Sequence, residues 1–134
     1  MDFGGGSESL HGPPRFIHLA ASPRAWKQAR SFLEEAIGDR QPPDQVELAA
    51  LLTTELVSMA ARYTLNPFEK PIRVTTSAVE DRLRVTVRDR ESSLALARAS
   101  DANQDVWAML LLEKMSARWG TEQSLLGTYI WFEL

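Results

Sequence analysis

The stretch VELAALLTTELVSMAARYT, residues 46–64, decides how this chain is read. It is the longest run compatible with a helix. Leu48, Leu52, Leu56, Met59, Ala60 and Tyr63 recur at helical spacing, while Ala49, Ala50, Leu51 and Val57 widen the apolar surface. So broad an apolar girth predicts a helix buried on more than one side. Glu55 stands inside it, between Leu52 and Leu56, with Met59 following at i+4. A carboxylate in that position is either the solvated edge of the helix or part of a site, and the flanking segments decide which.

Toward the N-terminus, Asp44 and Glu47 form an Asp-x-x-Glu capping pair that is expected to start this helix after a turn at residues 39–43. Asn66-Pro67 is expected to end it. Further back, Ser22-Pro23 predicts another helix start, with Ser22 as N-cap and proline in the first turn. Trp26, Ala29, Phe32, Leu33, Ala36 and Ile37 give that helix a narrow apolar stripe, and Gly38 supplies the stop. Residues 15–21, RFIHLAA, alternate as a strand near the domain's edge, with His18 a half-exposed strand residue. Residues 1–14 are rich in Gly, Ser and Pro and are expected to be a flexible tail, leaving 15–134 as one domain.

Toward the C-terminus, Ile72, Val74, Thr76 and Ala78 alternate with Arg73, Thr75 and Ser77. After a turn at Glu80-Asp81, Leu83, Val85 and Val87 alternate with Arg82, Arg84, Thr86 and Arg88. This is the pattern of an antiparallel hairpin with one covered face and one wet face. Asp89 shares the parity of Leu83, Val85 and Val87. If the strand persists, its carboxylate points to the covered side, where a charge costs several kcal/mol unless paired or reached by water. If the strand ends at Arg88, Asp89 turns outward.

Residues 90–105 have no period and are long for a connection, as lids and binding loops are. Residues 106–119 read as a helix, with Ala108, Leu111, Leu112, Met115 and Trp119 on one face and Gly120 as its stop. Residues 121–126 are a short strand candidate and Gly127 a turn residue. Thr128, Ile130, Phe132 and Leu134 then alternate in a closing strand. The order β-α-α-β-β-α-β-β predicts an α+β fold: a two-layer sandwich with helices on one face of a mixed, mostly antiparallel sheet.

Composition narrows the function. A hydrophobic fraction of 44% and a charged fraction of 25% are those of a soluble globular domain. A net charge of -3 argues against a general nucleic-acid binder. The chain has no cysteine and two histidines, so no metal centre built on those ligands is expected. No apolar run reaches the ~18 residues needed to span a bilayer, and MDFGGGSESLHGPP lacks the features of a signal peptide. A cytoplasmic protein without membrane contact is the expectation.

Several of these stretches together resemble a known family. TTELVSMAARY resembles the ELVxNAxxH helix of bacterial anti-sigma-factor serine kinases and related small GHKL-type (histidine-kinase-like) ATP-binding proteins. LRVTVRDRE resembles their strand ending in Asp, and LLLEKMSARWG followed by GTYIWFEL resembles their last helix and final hairpin. The likeness covers residues 15–134 in the family's order. It implies a GHKL fold in which Glu55 corresponds to the general base and Asp89 to the adenine-binding carboxylate. Met59 stands where the family has the Asn that holds Mg²⁺ against the ATP phosphates, and a thioether is a soft ligand for a cation that wants hard oxygens. The glycines that follow the family's Asp are replaced by Arg90-Glu91-Ser92-Ser93. The Gly-x-Gly placed just before the last helix would fall at Val106-Trp107-Ala108, so that Ala108 replaces a lid glycine where helix N-terminal amides cradle phosphate. Tyr63 stands at a common His position.

The resemblance therefore implies an anti-sigma-factor-like regulator, a pseudokinase in which ATP and Mg²⁺ binding is weakened or lost. Its expected partner is a sigma factor, an anti-sigma-factor antagonist or another regulatory protein, with Trp107 and Trp131 as aromatic interface candidates. The alternative is an active serine kinase that phosphorylates such an antagonist, with Glu55 as base. A subunit that only scaffolds a larger assembly, as a homodimer or with an active paralogue, is a third option.

Overall fold

In the computed structural model, which describes residues 13–62, 71–90 and 102–134, the alternating segments join into one five-stranded sheet. Its strands are β1 (Arg15–Leu19), β2 (Ile72–Val79), β3 (Arg82–Asp89), β4 (Arg118–Ser124) and β5 (Gly127–Glu133), in the spatial order β1-β2-β3-β5-β4. Every neighbouring pair is antiparallel, so the sheet is not the mixed one expected. The described helices are α1 (Ala25–Ile37), α2 (Pro43–Arg62) and α3 (Asn103–Met115). Leu33, Ile37, Leu52, Leu56, Met59, Ala108 and Leu112 from the helices share a core with Ile72, Val74, Leu83, Val85, Val87, Ile130 and Phe132 from the sheet. The α+β two-layer architecture is thus the one that the alternation and helical spacing predict.

The β2–β3 hairpin turns through Glu80 and Asp81 at positive φ of 52° and 68°. Two consecutive left-handed residues are what a tight two-residue hairpin requires to match strand twist. Its register sets Val74 opposite Val87 and Arg73 opposite Arg88, fixing an apolar inner face and a basic outer face.

The helix starts differ from expectation. Arg24, not Ser22, occupies the N-cap of α1, and its side chain makes no capping bond. Ser22 instead makes a lead-in turn: its hydroxyl accepts from the Arg24 amide at 3.3 Å and its carbonyl from the Ala25 amide at 3.0 Å. The buried stripe begins at Ala25, leaving Trp26 41% exposed with the Lys27 ammonium 5.5 Å from its ring. Helix α2 starts at Pro43, where a missing N–H is harmless. Asp44 then falls in the first turn, and Glu47 accepts from Arg30 of α1 at 2.6 and 2.8 Å rather than closing a capping box. The end expected at Asn66-Pro67, Tyr63, residues 1–12 of the expected tail and residues 91–101 of the long connection lie outside the described residues.

The last helix is also displaced. It spans Asn103–Met115 rather than 106–119, and Ser116 leaves it in an extended conformation with its hydroxyl donating to the Leu112 carbonyl at 2.6 Å. Trp119 and Gly120 belong to β4, opposite Phe132 and Trp131 of β5. Strand wins because a partner strand is present, which local helical spacing cannot register. Gly120 is accordingly not a helix stop. A Cβ there would lie 2.6 Å from the Trp131 ring, so glycine makes room for the indole. Gly127 does serve the turn, at φ +131°.

Candidate functional site

Strand β3 persists through Asp89, which pairs with Thr128 of β5 and is 1% exposed. Its carboxylate therefore points to the covered side, as its parity predicts. Close to it, Gly127 has no room for a Cβ, which would lie 2.2 Å from the Asp89 carbonyl oxygen. The strand end carrying Asp89 is thus clamped by the start of β5.

Glu55 and Met59 are one turn apart on α2 but occupy different surroundings. Met59 is 0% exposed and belongs to the hydrophobic core. Glu55 is half-buried, on an edge of the helix shared with Leu51, Ser58 and Arg62. Ala108 is also closed off, at 1% exposure, within α3. Val106, Trp107 and Ala108, which the resemblance aligns with the Gly-x-Gly ahead of the last helix, lie inside it, so its first N–H groups belong to Asn103, Gln104 and Asp105. Trp107 is 55% exposed and Trp131 half-buried.

Asp105 is a site feature that sequence reading missed. It stands in the first turn of α3, 1% exposed, and makes an ion pair with Arg62 from the last turn of α2. A carboxylate of the chain itself therefore sits at the helix N-terminus where phosphate-cradling amides were expected. Both charges suit the helix dipoles: an anion at one N-terminus and a cation at the other C-terminus. The only sequence cue was an acidic residue ahead of an apolar run, which does not reveal its partner 43 residues away.

Grooves among the described residues lie beside the helices. One, of about 340 Å³, is lined by Ser22, Trp26, Ser58, Ala61, Arg62 and Gln104 among others; another, of about 380 Å³, lies between β1 and α1. Glu55, Met59, Asp89 and Ala108 line neither. Among the described residues no group of three or more His, Asp or Glu could hold a metal ion. No described helix is long and apolar enough to cross a membrane.

The opposite face of the sheet is polar and ordered in cross-strand rows. One row runs His18, Arg73, Arg88, Tyr129 and Glu122; the next Phe16, Thr75, Thr86, Trp131 and Gly120; a third sets Ser77, Arg84, Glu133 and Arg118 side by side. Glu133 is buried beneath its two arginines. Arg84 donates to one oxygen at 2.8 and 2.6 Å, and Arg118 to the other at 2.9 and 2.6 Å. Burial alone would push the Glu133 carboxyl up, but the hydrogen bonds and charges of Arg118 and Arg84 outweigh it and hold it below the usual range. Arg84 also stacks on Trp131, 4.1 Å from the ring centroid.

The strand order and the helices on one face make an α+β two-layer sandwich of the GHKL fold type. A solved structure of the RsbU and RsbW domains of Rv1364c from Mycobacterium tuberculosis matches this chain with a TM-score of 0.69 at 19% identity. The match covers 90% of this chain and 32% of that one, so the chain spans about a third of its length. No family model matches the sequence, and no curated protein does. The likeness is one of fold.

Proposed function

We propose that this chain is an anti-sigma-factor-like regulator that works by binding another protein, with its handling of Mg-ATP weakened or lost. The observation that carries this reading is the burial of Met59, a soft thioether packed in the core at the position corresponding to the family's Mg²⁺-binding Asn. Two further side chains also fit the nucleotide poorly. Ala108 is a core residue, and Asp105 puts a negative charge at the helix N-terminus, where it would oppose an incoming phosphate. A partner-binding role needs only the outer surfaces of the scaffold, which can outlast the chemistry. The partner class is a sigma factor or an anti-sigma-factor antagonist, taken from the resemblance. Calorimetric titration of ATP with Mg²⁺ tests the reading. No saturable heat in the micromolar range is expected; micromolar binding abolished by Asp89→Asn would overturn it. The alternative, a serine kinase, draws its support from Asp89 facing inward and Glu55 remaining within reach of solvent. Phosphate transfer to an antagonist that stops in Glu55→Gln would favour it.

A further inference from the structure

The outer face of the sheet carries two cross-strand arrangements of arginine, and only one of them is complete. In the third row Glu133 separates Arg84 from Arg118 and gives each one carboxylate oxygen. In the first row Arg73 and Arg88 stand directly opposite one another on β2 and β3. Directly opposed residues have Cβ atoms roughly 4.5–5.5 Å apart, and like charges so placed destabilise a sheet. Among the described residues no carboxylate is paired with either. Their row neighbours are His18 and Tyr129, and Arg73 lies over the Phe16 ring at 4.2 Å. Both side chains are half-buried, and the Nε of each is shut from solvent with no hydrogen-bond partner. The face thus contains a satisfied arginine pair and, two residues along each strand from the central row, an unsatisfied one.

We propose that Arg73 and Arg88 form a docking site for a carboxylate side chain of an acidic segment on a protein partner, laid across this open face. The partner's carboxylate would take the place between these guanidinium groups that Glu133 takes beside Arg84 and Arg118, where charge-assisted, forked contacts are strongest. Phe16, Tyr129 and Trp131 around it are the aromatic types that supply contact area at protein interfaces. A nucleic acid fits less well, because the chain has a net charge of -3. A second copy fits less well too, since it would bring the same excess of arginine to the contact. The site lies on the sheet face opposite the helices and Asp89, so it works whether or not nucleotide binds, although it rests on the reading of the chain as a protein-binding regulator.

The test is fluorescence anisotropy on the full chain at low ionic strength, with a labelled twelve-residue polyglutamate peptide, a matched polyglutamine peptide and a short DNA duplex. Saturable binding of polyglutamate but not polyglutamine is expected, weakening as salt is raised. Arg73→Gln with Arg88→Gln should weaken it about tenfold or more, whereas Arg82→Gln, on the same strand and face, should change it less than about twofold. Arg88→Glu guards against a variant that fails to fold: it pairs with Arg73 across the strands, so it should abolish peptide binding while leaving Tm unchanged or higher. No saturable binding, binding indifferent to Arg73 and Arg88, or tighter binding of DNA through the same arginines would overturn the proposal. So would a wild-type dimer in sedimentation that Arg88→Glu dissociates, since the occupant would then be a second copy. These outcomes are separate from the Mg-ATP titration: failure of the peptide leaves the disabled nucleotide site standing, and tight Mg-ATP binding leaves the peptide result standing.

Discussion

Arg62 and Asp105 tie the last turn of α2 to the first turn of α3 through an ion pair in which the carboxylate is 1% exposed and the guanidinium 30%. The asymmetry of exposure makes the two halves unequal. Removing the arginine leaves a buried charge short of an ionic partner, whereas removing the carboxylate leaves a cation that water can still reach. Arg62→Gln is expected to cost about 2 kcal/mol and Asp105→Asn about 1 kcal/mol. At this chain length that is roughly 6–10 °C and 3–5 °C in Tm. Thermal denaturation followed by circular dichroism reads both, and an equal or reversed order would show that the pair does not link the helices as described.

Glu133 makes the fold sensitive to acid. Its folded pKa lies below the unfolded value of about 4.3. The stability it contributes is complete above that value and is lost as pH falls from there through the folded pKa. Arg118 is 52% exposed, which argues for a modest figure: Glu133→Gln should cost about 2 kcal/mol at pH 7. The gap between wild type and variant should narrow steadily below about pH 4.3. Parallel Tm curves for the two proteins from pH 7 to pH 3 would contradict the linkage.

Gly120 and Trp131 offer a steric test. In an unobstructed strand, alanine is favoured over glycine by roughly 0.5–1 kcal/mol. Here a Cβ would lie 2.6 Å from the indole, which must move and so loses its stack with Arg84. Gly120→Ala is therefore expected to destabilise by about 1–2 kcal/mol, and to become neutral or stabilising on a Trp131→Ala background. A double-mutant cycle by urea denaturation measures the coupling. Additive single effects would mean that the two side chains do not meet.

The same pair shows what the sequence could and could not disclose. The alternation through Val85 and Val87 is enough to place Asp89 inward, because side-chain parity is a property of one strand. Helical spacing also finds α1 and the described part of α2 but misplaces their starts, since Pro43 rather than the Asp44–Glu47 pair begins α2. Trp119-Gly120 misleads because a hydrophobic residue followed by glycine also reads as a helix end, and only the pairing with β5 makes it strand. The Arg84–Glu133–Arg118 cluster is invisible for the same reason. Its members come close because β5 inserts between β3 and β4, an order that no local pattern encodes. Arg73 and Arg88 share a wet face in the sequence, but their direct opposition is a matter of hairpin register.

At Gly127 the backbone leaves no alternative residue. The φ of +131° is strained for any L side chain, and a Cβ would lie 2.2 Å from the Asp89 carbonyl oxygen. Gly127→Ala is expected to cost about 3 kcal/mol. Gly127→Asn should be no better, since the obstruction is the carbonyl and not the dihedral alone. A Tm for either variant within about 3 °C of wild type would show that the start of β5 does not clamp the end of β3.

Met59→Asn bears most directly on the proposed function. If the position were a vacant ligand site on a cleft, asparagine would be accommodated and would supply the hard oxygen that Mg²⁺ requires. Met59 is instead 0% exposed among Leu, Val and Ile side chains, so the amide would be buried where apolar neighbours offer it nothing. The expected cost is about 2–4 kcal/mol, with no gain of Mg²⁺-dependent ATP affinity. Met59→Leu, which keeps volume and polarity, should cost less than about 1.5 kcal/mol. Calorimetry with ATP in the presence and absence of Mg²⁺, alongside Tm, separates the two cases. Unchanged stability together with new Mg²⁺-dependent binding would mean that the site needs only its ligand restored, and the reading of Met59 as a core residue that has displaced the metal would fail.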